Sequence, residues 1–214
     1  YVYDINNKVF EKLDTQLDNV IIMSKSKKSS LIAYYGNGIH TADKAYVLDL
    51  KNGSVINESN PEKDIFNDIS FGKSYDYTYT TKDGISVDGY YYLPPDFNAK
   101  QKYPMIVCYY GGAIPMSRNF RDYFPRNYFA SNGYIVYVII PSGATGYGQE
   151  YADRHVNDWG NITADEIIES TKQFIKDHDF VDEKNIGCMG ASYGGFLTEL
   201  LITRTDIFKA AISH

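Results

Sequence analysis

Two near-continuous apolar runs, "MIVCYY" at 105–110 and "YIVYVII" at 134–140, are followed by a third, "NIGCMG", at 185–190. Runs of this kind predict strands buried on both faces, as at the centre of a parallel sheet. Between the second and third runs the period becomes helical: Ile167, Ile168, Thr171, Phe174 and Ile175 fall on one face. Thr163 with Glu166 reads as a capping box at the start of that helix. Ahead of the runs, "YDYTYTTKDGISVDGYYYLPP" alternates on either side of Lys82-Asp83-Gly84, which predicts an antiparallel hairpin. Strands alternating with helices are the rhythm of an α/β domain.

The first 70 or so residues have a different rhythm. Short strand-like segments, "VIIMS", "LIAYY" and "AYVLDL", are separated by the turn signals "SKKSS", "GNG" and "KNGS". "YVYDINNKVF" from Tyr1 aligns with "YVLDLKNGSV" from Tyr46, an offset of 45 residues. A period of that size, with a strand, an aspartate and an asparagine-containing turn, is what a β-propeller blade produces. The plainer reading of the same pattern is a small β-meander of no special type. The expected division is a propeller remnant over 1–71 and an α/β domain over 72–214.

Length and charge narrow the classes. The 214 residues suffice for one large domain or for one domain and part of another. A net charge of −6, with no basic run beyond "KSKK" at 25–28, excludes a nucleic-acid partner. The longest apolar run is far too short to span a bilayer, and neither a membrane segment nor a signal peptide is expected. Cys108 and Cys188 sit inside apolar runs and read as buried free thiols. No histidine pair has metal-ligand spacing and no phosphate or dinucleotide loop occurs, so no cofactor and no metal are expected.

Candidate chemistry lies in "GCMGASYGGFLTELL", 187–201, where an apolar strand runs through a glycine-flanked serine into a helix. Gly190-Ala191-Ser192-Tyr193-Gly194 has the form of a nucleophile elbow, a tight strand-to-helix turn that lifts a serine hydroxyl above the sheet. The serine backbone is strained in such a turn, and Gly190, Gly194 and Gly195 are required because strand and helix pass very close together. The free N–H groups of the following helix then face a developing oxyanion.

Together with "PSGATGYGQEYADRHVNDWG", "YYLPPDFNAKQKYPMIVCYYGGAIP" and "TTKDGISVDGYYYLPP", the segment "GASYGGFLTELLITRTDIFKAAIS" resembles the prolyl oligopeptidase (S9) family of serine peptidases. The likeness covers about 72–214 and is strongest to the dipeptidyl-peptidase and acylaminoacyl-peptidase branch. It implies an α/β-hydrolase fold preceded by a β-propeller. It also implies that Ser192 is the acylated nucleophile, that the Tyr193 backbone N–H contributes to the oxyanion hole, and that the Tyr110 hydroxyl is the second donor. The plainer reading of Tyr110 is a packed aromatic at a strand end. One departure stands out: Ser142 occupies a position where many relatives carry arginine, which puts any substrate-side salt bridge at that loop in doubt. Asp158-Trp159-Gly160 matches a family segment expected to serve packing and turn formation.

A serine hydroxyl needs a base, and in α/β hydrolases the order along the chain is serine, acid, histidine. After Ser192 come Glu199, Asp206 and His214. Glu199 reads as a helix residue and Asp206 as preceding a short helical stretch. Neither reads as the tip of a further sheet strand, and His214 reads as the residue ending the next apolar strand. His40, His155 and His178 all precede the serine, against that order. The expectation is therefore an incomplete α/β hydrolase whose C-terminal strands, triad acid and triad histidine are not in this chain, and which is inactive and poorly stable in isolation. The activity implied for the parent protein is hydrolysis of short peptides through an acyl-enzyme. A carboxylesterase and an inactive or non-catalytic binding protein are the alternatives. A peptide is the expected partner, a homodimer is left open, and location is left between cytoplasm and periplasm.

Overall fold

The structure, a computed structural model, describes all residues 1–214 and divides into two compact units. The division falls between Ile69 and Ser70, and Ser117–Phe124 joins the first unit although it lies within the second in sequence.

The first unit opens with β1 (Val2–Asp4) and β2 (Val9–Glu11), an antiparallel pair. A four-stranded antiparallel sheet follows, with β3 (Asn19–Lys25), β4 (Leu31–Asn37), β5 (Lys44–Asp49) and β6 (Ser54–Ser59) in sequential order, and then the short α1 (Lys63–Phe66). The two copies of the 45-residue self-match are both hairpins, β1–β2 and β5–β6. In each, an aspartate ends the first strand and accepts from the turn backbone. Asp4 Oδ1 takes the N–H of Asn6 and Asn7, and Asp49 Oδ1 takes that of Lys51. Ile32, Tyr34, Tyr46 and Leu48 bury one face of the sheet, with the two tyrosine rings stacked at 5.3 Å. The segment 117–124 is held by Arg121, which pairs with Asp43 at 2.9 Å and with Glu62, and by Asn119, which accepts from buried Asn37 at 2.9 Å.

The second unit is a six-stranded mixed sheet with helices. Its strands are β7 (Ser74–Thr80), β8 (Ser86–Tyr92), β9 (Tyr103–Tyr109), β10 (Ile135–Ile140), β11 (Val181–Gly190) and β12 (Ala210–Ser213). Their order is β12-β11-β9-β10-β8-β7. The last four in sequence run parallel, while β8 is antiparallel to both β10 and β7. The helices are α2 (Arg126–Ser131), α3 (Gln149–Asp153), α4 (Asn161–Asp177) and α5 (Tyr193–Arg204). The hairpin turn stands at Lys82-Asp83-Gly84, with Gly84 at φ +83° and the Thr81 N–H donating to Ile85 O at 2.9 Å. All six residues of β10 are buried, as its unbroken apolar run requires. On α4 the expected face is the buried one: Phe174 stacks on Tyr137 at 4.3 Å, beneath Ile167 and Ile168.

Three local expectations are corrected. Thr163 and Glu166 do not form a capping box: α4 starts after Gly160, in left-handed backbone at φ +83°, and Asp158 Oδ2 accepts the Ile162 N–H at 2.9 Å. Glu166 turns inward instead, because Ser142 offers it two donors there. Trp159 does not pack within this unit but is 76% exposed, so the packing expected of its segment falls to buried Gly160, against Leu197, Phe196 and Leu200. The stretch after Asp206 is not helical; residues 205–209 are irregular and lead straight into β12.

Candidate active site

Because β9 and β11 are parallel neighbours in register, Met189 against Cys108, their carboxyl ends meet at one edge of the sheet. The chain lays β10 on one side of β9 and then crosses to lay β11 on the other. Open α/β sheets place their ligands at such a switch, outside the carboxyl ends of the strands.

At this edge Ser192 adopts φ +56° and ψ −116°, a conformation rare for any residue with a side chain, and it is exposed. The surroundings hold it there. Its N–H donates to His214 O at 2.7 Å, the His214 N–H donates to Gly190 O at 3.1 Å, and its carbonyl accepts from the Phe196 N–H at 3.1 Å. The three glycines are backbone-limited. A Cβ on Gly190 would collide with the Gly194 carbonyl, one on Gly194 would lie 2.8 Å from Tyr109 O, and one on Gly195 would lie 2.6 Å from His214 O. None of these neighbours is a flexible side chain that could give way.

Tyr193 opens α5, and its ring lies 6.4 Å from that of Tyr110, 5.0 Å from His155 and 5.4 Å from Phe196. Burial, with Asp158 and Tyr110 nearby, raises the Tyr193 hydroxyl above its ordinary value, so it stays neutral at physiological pH. Tyr110 follows directly on β9, and Gly111 at φ +72° turns the chain away behind it. Gly112 passes so close that a Cβ would lie 2.7 Å from the Tyr110 ring.

Of the other sequence candidates, His214 joins the turn through its backbone N–H and carbonyl. Glu199, on α5, accepts from Ser213 Oγ at 3.1 Å. Asp206 precedes β12, and His214 follows its last residue. His40 is in the first unit. His178 terminates α4 with Nδ1 2.9 Å from Phe174 O. No group of three or more His, Cys, Asp or Glu side chains could hold a metal ion, and no helix is long and apolar enough to cross a membrane.

The departure at Ser142 has a structural counterpart that sequence reasoning missed. Buried Ser142 donates to Glu166 through its N–H and its hydroxyl, both at 2.7 Å. Arg154 closes the group, with Nε 3.0 Å from Ser142 Oγ, one guanidinium nitrogen 3.2 Å from Glu166 and another 3.2 Å from Asp83. Arg154, just past α3, thus pairs with the buried carboxylate of α4. The Asp83 carboxyl is held below its ordinary value by the Thr81 hydroxyl first, then by its own backbone N–H, with Arg154 adding to them. The only trace in the sequence was a glutamate on the apolar face of α4.

Comparison with known proteins gives a consistent picture. Residues 120–214 match the model of the prolyl oligopeptidase family. The chain is 35% identical over 137 residues to the uncharacterized peptidase YuxL of Bacillus subtilis, covering 64% of this chain and 20% of that one. It is 32% identical over 142 residues to human dipeptidyl peptidase 8, covering 64% and 16%. The chain therefore spans a fifth or less of the length of these relatives. Among solved structures, the acylaminoacyl peptidase of Pyrococcus horikoshii superposes with a TM-score of 0.80 at 24% identity, over 91% of this chain and 30% of that one. A puromycin-hydrolyzing peptidase of Mycobacterium tuberculosis gives 0.78 at 23% identity, over 98% and 32%. These two likenesses show the fold.

Proposed function

We propose, from the premise that this chain carries a partial match to the prolyl oligopeptidase (S9) family, that it supplies the nucleophile and oxyanion donors of a serine peptidase acting on short peptides. The observation that carries the reading is the backbone of Ser192. A non-glycine residue at φ +56°, gripped between three glycines that tolerate no side chain, is strain kept at a functional position. In this reading Ser192 Oγ bonds to the substrate carbonyl carbon and the peptide C–N bond breaks. The serine proton passes through a base to the leaving amine, and water then releases the acid. The Tyr193 N–H and the Tyr110 hydroxyl stabilise the oxyanion. No residue within 1–214 is assigned as the base or its acid partner.

We further read the second unit as part of an α/β-hydrolase domain and β3–β6 as one blade of a β-propeller. The 45-residue recurrence of the Asp-ended hairpin supports this. So does the second face of the sheet, where Ile22 lies opposite Tyr35, Tyr35 opposite Ala45, and Ala33 opposite Val47. A sheet with apolar residues on both faces needs a cover on both.

The test is fluorophosphonate labelling of the protein in its natural length, read by intact mass. An adduct on the wild type and none on Ser192→Ala is expected; an unlabelled wild type overturns the reading. Turnover of a dipeptidyl anilide should exceed that of a short acyl ester, and a clear preference for the ester would assign a carboxylesterase instead.

A further inference from the structure

Behind the proposed oxyanion site, a line of buried hydroxyls joins the two elements that carry its donors. The Tyr109 hydroxyl lies 2.8 Å from Thr198 Oγ1, and Thr198 Oγ1 lies 2.8 Å from the Gly194 carbonyl oxygen. Cys188, on β11, is a further neighbour of the Tyr109 hydroxyl. Tyr109 and Thr198 are each 1% exposed.

Proton counting fixes the direction of the line. The Gly194 carbonyl can only accept, so the single Thr198 proton points to it. Thr198 Oγ1 must then accept from the Tyr109 hydroxyl. Burial raises both Tyr109 and Cys188, so each keeps its proton at neutral pH.

The ends of this line are informative. Tyr109 is the residue before Tyr110, and Gly194 is the residue after Tyr193. The two donors sit on different elements, one beyond β9 and the other at the start of α5, and their spacing must be right to within a fraction of an ångström for both to reach one oxyanion. Main-chain packing brings the elements together, as the space around Gly194 shows, but close packing alone leaves sliding along the contact unopposed. A directional hydroxyl relay opposes it.

We propose that Tyr109 and Thr198 are positioning residues that register the Tyr110 donor against the Tyr193 N–H. This rests on the reading of Ser192 as nucleophile, and neither residue touches the substrate in it.

The experiment is the rate of fluorophosphonate inactivation and the kcat and KM for a dipeptidyl anilide, measured on the natural-length protein. Tyr109→Phe and Thr198→Val each leave side-chain volume nearly unchanged. Each is expected to lower kcat and the labelling rate about tenfold with KM within about twofold, since misplacing reacting groups by less than an ångström costs rate rather than binding. Thr198→Ser keeps the hydroxyl and should stay within about twofold of wild type. The double variant should be no worse than either single one, because both interrupt one relay. Tyr109→Phe labelling at the wild-type rate would overturn the proposal, as would a loss seen in KM alone or losses that multiply in the double variant. Should Thr198→Val fail to fold, Tyr109→Phe with the Ser rescue decides. A wild type that does not label at all overturns the peptidase reading and this inference with it, and that result differs from one in which the wild type labels and the variants keep pace.

Discussion

The two sheets of this chain solve the same problem with very different margins. In the second unit β10 is buried along its whole length, and seventeen buried residues from strands and helices form one continuous core around it. In the first unit the core is four residues on one face of β3–β6, while Ile21, Ile22, Met23 and Ile56 are exposed. A strained residue such as Ser192 persists only where its surroundings over-determine it. The strained turn at Ser192 accordingly sits on the sheet with the dense core.

This contrast is testable at glycines first, where the largest effect is expected. Gly190→Val would drive its side chain into the Gly194 carbonyl, which cannot move without displacing α5. We expect a loss of more than about 4 kcal/mol, or failure to fold. Gly53→Ala in the first unit meets the opposite condition, a positive φ of +70° with nothing near it, whereas Gly190 is crowded but not at positive φ. Gly53→Ala should cost only about 1 kcal/mol, the strain of the backbone alone. Urea unfolding of the two variants separates them; a Gly190→Val cost as small as that of Gly53→Ala would mean that the close approach of strand and helix does not limit the turn.

An alkaline titration sharpens the comparison at intermediate size. Tyr77, Tyr109, Tyr137 and Tyr151 in the second unit are raised well above the ordinary tyrosine value, in each case chiefly by burial. Their unfolded forms lose protons near pH 10 while the folded forms keep them, so unfolding releases protons and stability falls as pH rises above about 10. By pH 12 the loss is on the order of 2 to 3 kcal/mol for each tyrosine that still holds its proton when folded. In the first unit Tyr34 is raised for the same reason, and Tyr35 chiefly by its hydrogen bond to Asp43. Melting followed at pH 8 to 12 by probes in each unit should show the second losing more.

How far the sequence foretold this structure depended on whether the determinant was local. The hairpin at Lys82-Asp83-Gly84, the buried face of α4 and the glycine-flanked turn at Ser192 were all legible, because each is written within a few residues in turn chemistry or periodicity. The capping box was misread because Thr163 and Glu166 fit the local pattern, whereas Ser142, 24 residues upstream of the glutamate, captured its carboxylate. The relay from Tyr109 to Thr198 spans 89 residues and left no trace in either segment, where a tyrosine at a strand end and a threonine in a helix both look ordinary. The pairing of Ser117–Phe124 with the first unit was equally hidden, since it depends on Arg121 meeting Asp43 and Glu62 from far away in sequence.

The smallest expected effect bears most directly on what the sparse sheet is for. Ile22 is 63% exposed on β3, facing the side where Tyr35, Ala45 and Val47 form its apolar neighbours. In a chain limited to residues 1–214, Ile22→Ala removes little buried surface and should change stability by no more than about 0.5 kcal/mol. In the natural-length protein a neighbouring blade would cover that face, and the same substitution should then cost about 1 to 2 kcal/mol through lost burial. The difference between the two backgrounds, read from urea midpoints, is the quantity of interest, because strand propensity is the same in both and cancels. Equal effects would leave the face open to water in the longer protein too, and the blade reading would give way to a free-standing meander.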